Sequence, residues 1–340
     1  MAPRTALRSL LVTSAALVAL ACGTEAPTGP EDTPSSPALA LGTVRTTAAN
    51  ARDCPRGVVC RGIEVDCPGI PTARAFAGVA SPVGTPRGVL LFTSGGSGMG
   101  FALEARSRGD LLEQLVDDGF EVVQVSWDVN WLESGPGIDA GTDRLGCRPA
   151  TVVRWVHDTY FAPLRIPRSL NGRCGFCISG NSGGASQSSY PLSHYGLDAI
   201  LDAVVPTGGP PHAALARSCL GPAGDPATFA DDTRQFIDRG FGFFDGRGPC
   251  FRRDASFTSR WNQAAVSTGG SDYLHPQTRI HFVFGAEDGP MQAIAGDYVA
   301  RLRSAGSPWV DSQVVPGTGH NTTGTEQGRA AVRAAILGTR

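Results

Sequence analysis

Gly175-Phe176-Cys177-Ile178-Ser179-Gly180-Asn181-Ser182-Gly183-Gly184 says more about the architecture of this chain than any other segment. The run Gly175–Ser179 reads as a short buried strand, and Gly180-Asn181-Ser182-Gly183-Gly184 fits the pattern G-x-S-x-G. The small residues that follow can start a helix. The spacing has a steric cause: a serine on a sharp strand-to-helix turn adopts an unfavourable backbone conformation and crowds its neighbours, so glycines flank it. The same turn lifts the hydroxyl clear of the sheet and aims the first amides of the helix at one point. In a chain with 44 glycines the five-residue pattern is weak by itself, and a plain tight turn is the bland alternative. The strand before it and the helix after it give it weight.

Outward from this turn the same alternation recurs. Val89–Thr93, Glu121–Trp127, Leu201–Val205, Arg279–Phe284 and Gln313–Val315 read as further strands. Between them lie helical faces: Leu111, Leu112, Leu115 and Val116; Val152, Trp155, Val156 and Tyr160; Ile294, Tyr298, Val299 and Leu302; Ala331, Val332, Ala335 and Ile336. Gly119 and Gly306 supply helix stops. Buried strands alternating with amphipathic helices predict an α/β protein, with a mostly parallel central sheet flanked by helices. Ile63–Val65 and Ala75–Val79 add antiparallel strands at the N-terminal edge. Residues 208–275 separate two strands by far more than a crossover needs. They hold Phe229, Phe236, Phe241, Phe243, Phe244 and Phe251, with Cys219 and Cys250 available to staple them. This stretch reads as an inserted cap over the C-terminal ends of the strands.

The composition narrows the chemistry. Hydrophobic residues make up 41% of the 340, enough for a sizeable core, and a formal net charge of −2 gives no electrostatic case for nucleic acid. All 29 cations are arginine. Without lysine there is no pyridoxal Schiff base, no Walker A phosphate loop and no Ser–Lys dyad.

The first residues read as an address. Arg4 and Arg8 precede the mostly apolar stretch Leu10–Leu20, which is too short to span a bilayer comfortably. It ends in Ala19-Leu20-Ala21-Cys22, which resembles a bacterial lipobox, although Leu is usual where Ala19 stands. The resemblance implies a signal peptide over residues 1–21 and lipidation of Cys22; the Thr, Pro, Ala, Ser and Gly content that follows, with few large apolar residues, reads as a flexible tether over 22–50, before a folded domain over 51–340. The expected location is the bacterial cell envelope, as an outer-membrane or surface lipoprotein anchored to the membrane through Cys22; the alternative is ordinary secretion without lipid. Gly23 follows the cysteine, where Asp would mark inner-membrane retention. The remaining eight cysteines, Cys54, Cys60, Cys67, Cys147, Cys174, Cys177, Cys219 and Cys250, suit up to four disulfides in an exported chain. Cys174 and Cys177 have the spacing of a redox or zinc pair, but no second pair matches it, and structural bridges are the better reading. No metal site is expected.

A serine nucleophile needs a base. Of six histidines, His320 alone follows the last strand, in the glycine-loosened loop Val315-Pro316-Gly317-Thr318-Gly319-His320. The imidazole needs an acid to fix its tautomer. The strand Arg279–Phe284 runs into Gly285-Ala286-Glu287-Asp288, whereas Pro206-Thr207-Gly208-Gly209 after the strand Leu201–Val205 offers no carboxylate. The order Ser182, Asp288, His320 resembles that of the α/β-hydrolase superfamily, from about Val89 to the end of the chain. The resemblance implies the α/β-hydrolase fold and a serine esterase or lipase. It implies a Ser–His–Asp triad with a covalent acyl-enzyme, and prefers Asp288 over Glu287 as the acid. It further implies an oxyanion hole with one amide from Gly183 and another from the loop Ser94-Gly95-Gly96-Ser97-Gly98-Met99-Gly100. No His precedes these glycines, a departure from the family pattern that leaves the second donor open; Gly96 or Ser97 is the choice made here. The dinucleotide fingerprint G-x-G-x-x-G counted from Gly96 fails at Phe101.

Trp127 and Trp131 flank the end of the second predicted strand and are candidates for lining a substrate cleft, against the commoner fate of aromatic residues in a core. The expected activity is hydrolysis of a carboxylic ester, small or polymeric, without a cofactor. Two alternatives stay open on the sequence alone: a peptidase or amidase of the same fold, and a catalytically inactive hydrolase fold serving as a surface-binding module. The sequence carries no commitment on oligomeric state.

Overall fold

The computed structural model describes residues 37–49, 54–55, 58–101, 106–168 and 173–339. The expected signal peptide and the lipidation site Cys22 lie outside these residues. Nine strands form one sheet: β1 Thr43–Thr47, β2 Val59–Asp66, β3 Ala73–Ala80, β4 Gly88–Thr93, β5 Phe120–Trp127, β6 Phe176–Asn181, β7 Ala203–Thr207, β8 Arg279–Gly285 and β9 Val310–Val315. Their order is β1-β2-β3-β5-β4-β6-β7-β8-β9. The ladders from β1 to β5 are antiparallel and the remaining five are parallel.

The strands that read as continuous apolar runs are those buried on both faces. In β4, Val89 and Leu91 join one core, and Leu90 and Phe92 join the other. Two helices, α1 Arg106–Asp117 and α10 Glu326–Leu337, cover the second face through Leu111, Leu112, Leu115, Val332 and Ile336. The first face is covered by α3 Cys147–Val156, which follows the short α2 Gly141–Leu145, and by α4 Gly183–Ser193 and α9 Gly289–Ser304. The chain leaves β4 for β5 on one side and reaches β6 on the other. Doubly wound sheets bind their ligands in the crevice at such a reversal, beyond the carboxyl ends of the strands. The loop after β4 and the turn after β6 meet there.

Residues 208–275 contain four short helices, α5 Leu215–Leu220, α6 Asp231–Arg239, α7 Pro249–Arg252 and α8 Thr258–Ala264. Much of the aromatic content of this insertion forms its own core: Phe257 packs edge-on against Phe241 and against Trp261, with ring centroids 5.3 Å apart in each pair. Cys219 and Cys250 stand at disulfide distance, joining α5 to α7, and the Asp238 carboxylate accepts the Cys250 and Phe251 amides at 2.8 and 2.9 Å. The other pairs at disulfide distance are Cys54–Cys60, Cys67–Cys147 and Cys174–Cys177. Four such pairs fit a protein exported to an oxidising compartment. Among the described residues no helix is long and apolar enough to cross a membrane.

One boundary is corrected. The expected tether over 22–50 includes β1, which pairs with β2 from Thr43↔Asp66 to Thr47↔Gly62. The Leu39 amide donates to the His194 carbonyl at 2.7 Å, and the Gly42 amide to Thr151 Oγ1 at 2.8 Å. A Thr- and Val-rich run has strand propensity, and the open edge of β2 supplies the partner that local sequence does not reveal.

Candidate active site

Ser182 stands between β6 and α4 with φ 57° and ψ −118°. Only Arg165 and Arg253 share a positive φ among the described non-glycine residues. The turn is held because its neighbours have no side chains. A Cβ on Gly180 would lie 2.3 Å from Thr93 Oγ1, one on Gly184 2.5 Å from the Thr93 carbonyl oxygen, and one on Gly183 2.4 Å from that of Gly96. Such distances exclude any larger residue without backbone movement. Thr93 Oγ1 donates to the Gly184 carbonyl at 3.0 Å, tying the end of β4 to the start of α4.

Asp288 follows β8 and precedes α9. It is buried, and its Oδ2 lies 2.8 Å from Nδ1 of His320, which projects half-exposed from the loop after β9. Glu287 is exposed, and its amide donates to the Thr318 carbonyl at 3.0 Å. The carboxylate that meets the imidazole is therefore that of Asp288. No hydrogen bond joins Ser182 to His320, but both line the same cleft.

The glycine loop after β4 lies over the start of α4. Gly96 has φ 56°, and its amide meets no protein acceptor among the described residues. Gly96 and Gly183 both line the cleft beside Ser182. Ser97 does not line it, and its carbonyl accepts the Trp131 amide at 3.1 Å. Of the two expected choices, only Gly96 is at the cleft.

Trp127 and Trp131 are also misassigned by the sequence reading, because both indoles are buried beneath the glycine loop and neither lines the cleft. Trp127 Nε1 donates to Gln187 Oε1 at 2.8 Å, and Gln187 Nε2 donates to the Ser94 carbonyl at 2.9 Å. Trp131 Nε1 donates to the Gly96 carbonyl at 3.2 Å. A Cβ on Gly98 would lie 2.5 Å from Trp127 Cδ1 and 3.0 Å from Trp131 Cδ1. The tryptophans therefore support the loop from below. Sequence places them near the strand end but does not say to which face they turn.

Two polar residues escape the sequence reading. Asn181 Oδ1 accepts from Thr207 Oγ1 at 3.0 Å, from Thr322 Oγ1 at 3.0 Å and from the Thr322 amide at 3.3 Å. This side chain links the residue before Ser182 to the segment just after His320. His212, in the turn Pro211–Ala214 after β7, is buried with its ring 5.7 Å from that of Trp131 and 5.9 Å from that of Tyr190. Burial pushes its pKa down to about 3, so the ring is neutral at pH 7. Asn181 sits at an unconstrained position of the motif, and His212 is marked only as a histidine at the margin of the insertion.

The cleft has two lobes that share Gly96, Ser182 and His320. One, of about 540 Å³, is bounded by Gly95, Met99, Phe101, Asn181 and Asn321. The other, of about 410 Å³, is bounded by Pro211, His212, Phe236, Ile237 and Met291, with Asp232 and Thr233 contributed by α6. The insertion thus supplies one wall of the cleft, and of its phenylalanines only Phe236 reaches the lining. Among the described residues no cluster of His, Cys, Asp and Glu could hold a metal ion.

No protein-family model matches the chain, and no curated protein matches it. Among solved structures, a hyperthermophilic esterase from the archaeon Pyrobaculum calidifontis is similar with a TM-score of 0.53 at 15% identity, over 82% of this chain and 85% of that one. A thermostable carboxyl esterase from Bacillus coagulans gives a TM-score of 0.49 at 15% identity, over 82% and 97%. The mostly parallel sheet, the glycine-flanked turn after β6 and the likeness to the archaeal enzyme lead to one conclusion: this chain has the α/β-hydrolase fold.

Proposed function

We propose that this protein is a serine hydrolase acting on carboxylic esters. The observation that carries the reading is the 2.8 Å contact between Asp288 and His320 at the rim of the cleft into which the strained turn delivers Ser182. Ser182 Oγ attacks the ester carbonyl carbon and its proton passes to Nε2 of His320, a contact that closes when substrate is bound. Asp288 holds the opposite ring nitrogen as donor and stabilises the imidazolium. The amides of Gly96 and Gly183 receive the charge that develops on the carbonyl oxygen, each contributing about 2.7–4 kcal/mol to the transition state. His320 then returns the proton to the departing alcohol, and water repeats the attack on the acyl-enzyme.

The test is labelling with an active-site-directed fluorophosphonate. The wild type is expected to take the label and Ser182→Ala to lose it. A folded wild type that takes none would favour a binding module instead. Turnover of an amide panel with no turnover of esters would favour a peptidase. We also infer from the Ala19-Leu20-Ala21-Cys22 sequence, together with the cysteine pairs, that the chain is exported and lipidated at Cys22. Incorporation of labelled palmitate that persists in Cys22→Ser would refute the anchor.

A further inference from the structure

His212 is a titratable side chain of the cleft that the proposed reaction leaves idle. It lines the lobe under the insertion, 1% exposed, beside the apolar side chains of Pro211, Phe236, Ile237 and Met291 and the polar Asp232 and Thr233. Two aromatic rings flank it, no carboxylate pairs with it, and its enclosed Nδ1 has no hydrogen-bond partner among the described residues. A neutral imidazole carries one N–H. A buried N–H without an acceptor is rarer than a buried acceptor without a donor, so the proton belongs on Nε2, leaving Nδ1 bare. Beside the apolar side chains of this lobe His212 then presents a donor without a protein acceptor, whereas the Thr233 hydroxyl donates to Asp232 Oδ1 at 3.3 Å. Pockets of roughly 300–1,000 Å³ characteristically combine apolar walls with a few placed polar groups that fix orientation, and this lobe has about 410 Å³.

The two lobes have different duties. The acyl group must stay bound through both attacks, which suits the lobe walled by side chains. The alcohol leaves after one step, which suits the other lobe, where Gly95, Gly96 and Gly100 lie beside Met99, Phe101 and Asn321. We propose that the lobe under the insertion binds the acyl group of the substrate and that His212 Nε2–H donates to an uncharged oxygen on that group. The favoured substrates are then esters of hydroxy, keto or alkoxy acids rather than of plain fatty acids. Asp232, on the same lobe, opposes acyl groups that carry a carboxylate. The inference rests on the esterase reading and extends it to a substrate class.

The test compares p-nitrophenyl hexanoate with the 3-hydroxy, 4-oxo and 5-oxo hexanoates and with the anionic 5-carboxypentanoate. In the wild type the best oxygenated ester is expected to exceed hexanoate about tenfold in kcat/KM, the size of one satisfied hydrogen bond in an apolar pocket. The ratio, whatever the absolute rates, should fall towards one in His212→Phe and stay above that value in His212→Gln, which keeps an N–H donor. A wild-type ratio near one across the set overturns the proposal, as does an undiminished ratio in His212→Phe or an anionic ester that is the best of the series. Should the phenylalanine variant not fold, the wild-type series and the glutamine variant still decide. Turnover of hexanoate without oxygen preference defeats the acyl assignment alone. A folded protein that neither takes a fluorophosphonate nor turns over any ester defeats the esterase reading, and this inference with it.

Discussion

The two ends of the parallel sheet each hold a buried aspartate, and they treat it differently. At the end where strands begin, Asp202 Oδ2 accepts the Gly175 and Phe176 amides at 3.1 and 2.8 Å, and Oδ1 lies 3.5 Å from Arg168 Nε. Backbone amides and a guanidinium answer this carboxylate, and it fastens β6 to β7. At the end where strands finish, Asp288 Oδ2 turns to an imidazole that is half in solvent. The contrast is between a carboxylate answered by fixed donors, which holds the fold, and one that faces an accessible imidazole, the arrangement the proposed reaction uses.

Substitutions test that contrast directly. The largest expected effect is from Ser182→Ala, which should lower kcat/KM on an activated ester by about 10⁴-fold or more while leaving the melting temperature near wild type. Asp288→Asn should follow, with a loss of roughly 10³–10⁴-fold in kcat, because the amide no longer holds the productive tautomer. Glu287→Gln should stay within about twofold, as expected for an exposed side chain away from such features. Asp202→Ala should do the reverse of Asp288→Asn. Urea unfolding should show a loss of about 3 kcal/mol, since two amides and Arg168 lose their acceptor, while the folded fraction keeps kcat within about threefold. Equal damage to kcat from both aspartates would break the distinction between the two ends.

The far end of α4 gives a pH test of the same idea. Its C-terminal neighbour His194 is buried, and burial lowers its pKa to about 4, so the native ring is neutral while the unfolded chain titrates near its ordinary value of about 6.5. The unfolded state therefore binds this proton first as the pH falls. Stability from this group is complete above about pH 6.5 and declines towards pH 4, by about 1.4 kcal/mol per unit. The wild type should lose stability between pH 7 and 5 more steeply than His194→Gln, as read from urea midpoints at each pH. Equal slopes would remove His194 from the account. The smallest expected effect is at the other end of the helix. Ser182→Gly relieves the positive φ and should raise the unfolding free energy by about 1 kcal/mol as it abolishes activity, a gain that Ser182→Ala should not share.

Much of this was legible in the sequence, for local reasons. Gly180, Gly183 and Gly184 carry their own steric explanation, and the loops holding Asp288 and His320 announce themselves because each follows an apolar run that becomes a strand. What failed depended on through-space neighbours. Whether Trp127 and Trp131 face the cleft or support it from below is decided by the path of the glycine loop. The choice of Gly96 over Ser97 rests on which residue of the folded loop lines the cleft, and spacing does not encode that. β1 shows no local sign of the open edge that recruits it. His212 and Asn181 matter through what chain topology brings beside them, which no spacing rule encodes.

Asn181 ties the turn at Ser182 to a segment far later in the chain. Its carbonyl oxygen receives donors from Thr207 at the end of β7 and from Thr322, far later in the chain. Two of its three contacts come from Thr322, so the contact set of this side chain is complete only when the last crossover is docked. On the proposed reaction, hydrolytic competence would therefore depend on the C-terminal portion being in place.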